Sequence, residues 1–261
     1  FTTLKKANQF SGGAAPAFLQ THPITSNRIS DIEDRLKDYP YKQRLGNQTF
    51  YYVKGKLKAL LGDKSNTKNI LEENIKNKIY INEAGERFAL AYIYLMDNEF
   101  IKSQEQIQWL FDNEQSNPML SQLYINYLIK TNKVTEAKKL YIQNLNFFPS
   151  NRSFIFGLAD LYLRTQETEK ALKLLKKNEQ KFSQDPILYN LYAKVYAKKG
   201  EKLLQYENLA EAAYYSFNLQ EAIMRMDLAI KANDGDFYEK SRVESRLKQF
   251  QREQQFHTRD K

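Results

Sequence analysis

Apolar and polar positions recur at helical spacing along most of this chain, and the spacing itself repeats. In LYINYLIKTNKVTEAKKLYIQNL, apolar residues fall three and four apart on either side of a polar break at Thr131 to Lys133. That pattern predicts two amphipathic helices joined by a tight turn. LADLYLRTQETEKALKLLKKNEQKF repeats the plan, with its turn around Thr165 to Thr168. Small or apolar residues stand at Ala91, Ile125, Ala159 and Ala193, 34 residues apart each time. Ser103, Ala137 and Ala171 keep the interval twelve residues further on, and Leu123, Gly157 and Leu191 keep it two residues earlier. The large residues Tyr94, Leu128, Tyr162 and Tyr196 follow in the same register. Asn117-Pro118 and Asp185-Pro186 each set a capping side chain before a proline at a first helical turn, and Pro149 stands where a helix must stop.

A period of 34 with small residues twelve apart resembles the tetratricopeptide repeat, in which two antiparallel helices touch at the small positions and bulky residues fill the spaces around them. The expected fold is all-α: a solenoid of helix pairs at about 84–117, 118–149 and 151–183. FYYVKGKLKALLGDKSNTKNILEENIKN reads as a degenerate pair turning at Gly62-Asp63. The interval fails after Ala193. The next match puts Ala210, Ala222 and Ala229 in small positions, with Ala222 lying 51 residues from Ala171. The segment from Glu201 to Phe217 is therefore expected to close one pair and open the next. Residues 1 to about 45 break the pattern, with a short helix, an SGGAAP loop and a helix from about Ser26 or Ser30, where Ser30 and Glu33 make a capping box. The segment from Asp236 reads as an amphipathic helix with Phe237, Val243, Leu247 and Phe250 apolar, suited to cover the open end of the array.

Composition narrows the classes. Only 9 glycines and 6 prolines in 261 residues argue against a protein of many short strands. The longest near-apolar run, Phe88 to Met96, is about half of the ~18 residues that suggest a membrane span, so no span is expected. Without cysteine there are no disulfides or thiolate metal sites. The +9 net charge comes from 40 basic and 31 acidic residues. The acids are interspersed and no arginine-rich motif of recognised spacing is present, which argues for a solvated mixed surface, or an acidic partner, over nucleic acid. The chain opens FTTLKKANQF without an initiator methionine and is read as an interior piece of a longer polypeptide.

Three features in order carry a more specific resemblance: Thr21-His22-Pro23 with Arg28, then the 34-residue array, then Asp236-Phe237-Tyr238 with Ser241, Arg242, Arg246 and Leu247. This order resembles the BepA (YfgC) family, periplasmic zinc metallopeptidases fused to tetratricopeptide repeats that enhance assembly of outer-membrane β-barrels. The resemblance implies a remnant of the peptidase domain over 1–45, the repeat array over 46–235, and a capping helix and tail over 236–261. It implies a periplasmic location and protein partners: the β-barrel assembly machinery, its substrates, or the chain's own peptidase domain. It also implies zinc in the parent protein. The family's HExxH helix is absent here, and His22 and His257 are the only histidines. A catalytic zinc needs about three protein ligands and a carboxylate base, so this chain is expected to hold no cofactor and no catalytic residue of its own.

By the same resemblance, His22 lies in a loop over the parent's zinc cleft, where its imidazole would take the open fourth position. A histidine bonded locally is the alternative, as is an ordinary surface arginine for Arg28, which would otherwise anchor the loop. In tetratricopeptide units the first helix of each pair lines the concave face. That register carries over to Phe88, Tyr92, Leu95, Asn126, Lys130, Phe156, Asp160, Arg164, Asn190, Lys194 and Lys198. Aromatic area, amides and cations together suit an extended peptide. Membership of the inter-repeat core is the alternative for Phe88 and Phe156. Asn144 and Asn178 are expected at helix–helix contacts. The functional expectation is an interaction module of a periplasmic assembly protease. A scaffold of another secretion or assembly system, without protease activity, is the alternative.

Overall fold

The computed structural model describes residues 47–259, together with Asp34 and Arg35, which are helical and exposed. The chain divides into two units, Phe1–Gly46 and Asn47–Lys261, and the account below concerns the second. The short helix, the loop and the Ser30 capping box expected near the start lie outside the described residues.

Among the described residues there are twelve α-helices, one 3-10 turn and no strand. Their order is α1 Gln48–Leu61, α2 Lys64–Lys76, α3 Glu83–Met96, α4 Phe100–Asn113, α5 Pro118–Lys130 and α6 Val134–Phe147. There follow α7 Arg152–Arg164, α8 Thr168–Asn178, α9 Pro186–Lys199, α10 Lys202–Tyr215, α11 Leu219–Lys231 and α12 Phe237–Arg259, with the 3-10 turn at Gln180–Phe182. Each expected pair is present, including the degenerate one turning at Gly62-Asp63. Asn117 and Asp185 cap α5 and α9 as expected, accepting from the N–H groups of Met119 and Ile187. The helix α10 packs extensively on both α9 and α11, so one helix does serve two pairs.

The period is written into the turns. The residues at 98, 132, 166 and 200 all take the left-handed conformation, with φ of 61°, 61°, 62° and 78°. Each ends the first helix of a pair in a Schellman motif. The N–H groups of Glu99, Lys133, Glu167 and Glu201 donate to the carbonyls of Tyr94, Leu128, Tyr162 and Tyr196, at 2.7–3.0 Å. The large residues that mark the repeat thus also supply the carbonyls that close each helix. Gly200 adopts this conformation at no steric cost, whereas Gln166, and Phe217 (φ 61°) between α10 and α11, carry a Cβ against it.

The small positions are where helices touch. Ala91, Ala137, Ala159 and Ala171 are fully buried, and Ser103 Oγ donates to the Ala91 carbonyl across the α3–α4 contact at 2.9 Å. The side chains of Asn144 and Asn178 each donate back to the carbonyl four residues earlier, at 2.8 Å, which satisfies their amides beside the packed faces.

The last helix is pinned twice. Arg242 and Arg246 on α12 each form a two-pronged ion pair with Glu207 and Glu211 on α10, at 2.6–2.7 Å. One helical turn on α12 matches one turn on α10, so both pairs close together. The Arg246 guanidinium also lies over Phe250, 4.4 Å from its ring centre. Beneath these pairs Val243, Leu247 and Phe250 are buried, as expected of a capping helix. Phe237 is not: it is 77% exposed, because it occupies the first turn just after the Asp236–Glu239 capping box and projects before the helix meets α11.

Two stability measurements check this packing. Ala159→Leu inserts a larger side chain at a fully buried contact, and urea melts should show a loss of about 1–3 kcal/mol. Phe217→Gly relieves a left-handed non-glycine residue whose side chain is 98% exposed, and the same melts should show a gain of roughly 0.5–1 kcal/mol.

Candidate functional site

The first helices of successive pairs pack on one another at α1–α3, α3–α5 and α7–α9. Between α5 and α7 the space is filled differently. At position 157 the Leu123–Leu191 series has glycine, and the ring of Tyr141, on α6, packs directly against it. A Cβ built on Gly157 would stand 2.7 Å from Tyr141 Cζ, so only glycine admits the ring. Above that ring the surface opens as a cleft of about 300 Å³.

Leu95, Met96, Ile129 and Leu161 give the cleft an apolar floor, and Asn126, Lys130, Asp160 and Arg164 stand at its edge. A second recess of about 190 Å³ adjoins it and shares Tyr92 and Asn126. Lys56, Met119, Gln122, Asn151 and Ser153 contribute to its polar lining. Together they form one groove across α3, α5 and α7. A larger recess of about 590 Å³ lies beside α1 and the α2–α3 connection, but its Lys58 and Glu86 already pair with each other at 2.6 Å.

The groove's polar groups are held in place by the array. Gln122 Nε2 donates to Asn126 Oδ1 at 3.0 Å and to the Tyr141 hydroxyl at 3.1 Å. Lys130 Nζ donates to the Leu95 carbonyl at 2.9 Å and to Asn98 Oδ1 at 3.3 Å, both on the preceding pair. Asp160 accepts from Arg164 at 2.7 Å and from Lys194 at 2.8 Å. Burial works to raise the Asp160 pKa, but the Lys194 hydrogen bond and the two neighbouring cations outweigh it and hold the carboxyl below its ordinary value. Burial raises the pKa of the Tyr92 and Tyr141 hydroxyls, so both stay protonated at neutral pH.

Of the residues expected in the groove, Tyr92, Leu95, Asn126, Lys130, Asp160 and Arg164 line the cleft together. Phe88 reaches the second recess but is 2% exposed and stacked on Tyr52, with ring centres 4.6 Å apart. Phe156 lies elsewhere, buried between Phe182 and Arg152 at the α7–α9 side. Both rings sit in the inter-repeat core, Phe88 against Tyr52 of the preceding pair and Phe156 against Phe182 in the turn that follows α8. Asn190, Lys194 and Lys198 are exposed on α9, beyond the cleft, with Lys198 donating to Gln166 Oε1 at 3.3 Å. His22 and Arg28 lie outside the described residues. Sequence reasoning did not select Tyr141, Gln122 or Gly157 for the groove. The glycine in a leucine series was the signal that marks this gap.

No family model matches the chain. Against curated proteins it is 22% identical over 241 residues to the beta-barrel assembly-enhancing protease of Yersinia pestis. The match supports a BepA-family relationship. It covers 91% of this chain but 49% of that protein, so the chain spans about half the length of the curated relative it matches. Among the described residues no group of three His, Cys, Asp or Glu side chains is placed to hold a metal ion. No helix among them is long and apolar enough to cross a membrane.

The Asp160 cluster has a pH signature. Its folded pKa lies below the unfolded value of about 3.9, so its contribution is complete above that value and is lost as pH falls through the folded pKa. Stability measured from about pH 5 downward should therefore fall less steeply in Asp160→Asn than in the unmodified chain.

Proposed function

We propose that the array is a protein-docking module that receives an extended segment of a partner along the groove across α3, α5 and α7. The partner belongs to the assembly of outer-membrane β-barrels in the periplasm: either an unfolded β-barrel substrate or a component of the machinery that inserts it. The single observation that carries this reading is the continuity of the two recesses through Tyr92 and Asn126. A ring and an amide at the centre of a groove give contact area and a backbone hydrogen bond, which is what an extended chain offers to any binder. The polar groups around them are held by bonds within the array, so little ordering entropy is lost on binding. The similarity to a beta-barrel assembly-enhancing protease supports the choice of partner class. In a longer parent protein, zinc-dependent peptide hydrolysis belongs to residues outside those described, and the groove's part is to bring a substrate or an assembly partner near.

The test is binding of an unfolded outer-membrane β-barrel protein, diluted from urea and followed by fluorescence anisotropy. Tyr92→Ala and Asn126→Ala should each weaken binding by about tenfold, as hot-spot truncations at an interface centre do. Unchanged affinity in the double variant, with an unchanged circular-dichroism melt, would reject the groove as the docking surface.

A further inference from the structure

The face of α9 opposite the groove register carries a recess of another kind. Tyr189, Tyr192 and Tyr196 fall three and four residues apart on that face, whereas Asn190, Lys194 and Lys198 keep the groove register. The tyrosines line a recess of about 340 Å³ together with Glu179, just after α8, Asn208 on α10, and Lys176. Tyr192 is 3% exposed, and its hydroxyl has no hydrogen-bond partner. Burial and the nearby Glu179 carboxylate raise its pKa, yet no hydrogen bond of ordinary geometry joins the two. Burial, then surrounding charges that include Glu179, raises the pKa of Tyr189 and Tyr196 as well. One carboxylate therefore faces the whole row of protonated hydroxyls.

The unused groups of this recess are acceptors. Two further carboxylates line it, but Glu207 is held by Arg242 and Glu211 by Arg246, each through both oxygens. Among the described residues no cation forms an ion pair with Glu179, and the exposed Lys176 is no exception. Asn208 gives its NH2 group to the Leu204 carbonyl at 2.8 Å, which leaves its own side-chain oxygen open. Tyr192 and Tyr196 add two stacked rings with centres 6.2 Å apart. The neighbouring contact shows what such a set holds. There the Arg246 guanidinium forks onto Glu211 and lies 4.9 Å from the Tyr214 ring centre and 4.4 Å from that of Phe250. Glu179 with Tyr192 and Tyr196 repeats that combination of carboxylate and rings, with no guanidinium bonded to the carboxylate.

We propose that this recess binds a guanidinium cation, with its N–H groups on Glu179, the Tyr192 hydroxyl oxygen and the Asn208 side-chain oxygen and its plane against the tyrosine rings. A guanidinium carries five N–H donors in a fixed fork, stacks on aromatic faces and stays charged at any working pH. It therefore satisfies several separate acceptors at once, and the bonds to Glu179 are charge-assisted. A polypeptide's arginine side chain and a free guanidino compound share this chemistry. The site lies apart from the groove across α3, α5 and α7 and does not depend on docking there.

The test titrates the whole folded chain with N-acetyl-arginine amide, with its neutral isostere N-acetyl-citrulline amide, and with agmatine, followed by backbone amide NMR shifts on α9 and α10. Both guanidinium probes should bind about tenfold or more tightly than the citrulline amide. The tighter of the two names the source, and either order upholds the site. Glu179→Gln should weaken the arginine amide about tenfold, and Tyr192→Phe about threefold. Without any probe, Tyr192→Phe should melt no lower than the unmodified chain, because its hydroxyl has no bond to lose. Equal binding of the arginine and citrulline amides would overturn the assignment, as would no binding of either guanidinium probe. Affinity that survives in both Glu179→Gln and Tyr192→Phe would overturn it by moving the site elsewhere. A lower melting temperature of probe-free Tyr192→Phe would overturn its premise that the hydroxyl stands unpartnered.

Discussion

The close approach of two helices at a small residue is the contact on which the rest of this array depends. Ala91 and Ser103, twelve residues apart, let α3 and α4 come near enough for a side-chain hydroxyl to reach a backbone carbonyl at 2.9 Å. That approach is possible only if the turn between the helices is tight. The left-handed residue at each turn, with its paired Schellman bonds, supplies that tightness at 98, 132, 166 and 200. Turn and contact are therefore two parts of one constraint. Each pair must then bury its remaining apolar face on the next, which makes a row of pairs the stable form.

Where the row is regular, large side chains are spent on packing. The first helices close on one another at α3–α5 and α7–α9, and rings such as Phe88 and Phe156 are consumed in that packing. The groove exists because one position departs from the pattern. Glycine at 157 admits the Tyr141 ring, and the ring keeps α5 and α7 from closing over Leu95, Ile129 and Leu161. Polar groups at the rim are then tied to neighbouring pairs by Lys130 and the Asp160 cluster, and within the α5–α6 pair by Gln122. The same residues thus connect repeats and present a surface, which keeps the surface ordered without a partner.

Much of the fold was legible because its determinants are local. A helix is visible from apolar spacing, a cap from Asn117-Pro118 or Asp185-Pro186, and a repeat from one interval kept in several registers. The place of α10 between two pairs was legible for the same reason, since Ala210 and Ala222 break the interval by a definite half period. The candidate groove was legible in part. Register put Tyr92, Asn126, Lys130, Asp160 and Arg164 on one face, and a repeating backbone carries equal registers to equal positions. Register also put Phe88 and Phe156 on that face, although a residue near the boundary of a helical stripe can turn either outward or into the inter-repeat core.

What the sequence determined by itself is the helical class, the period, the turns and the face each pair presents, since all of these follow from residues within about 34 positions of one another. Tertiary structure alone decided where that face opens. The cleft requires Tyr141 from a second helix, Gly157 from the next first helix and Leu95 from the pair before, held at distances that no local pattern encodes. The pairing of Arg242 and Arg246 with Glu207 and Glu211 has the same character: each guanidinium finds its carboxylate 35 residues away. An interaction across packed helices depends on how their axes cross and on which side chains fill the space between them. That geometry is a property of the whole array, and it is why the chain's secondary structure could be read along its length while the groove emerged only when the helices were stacked.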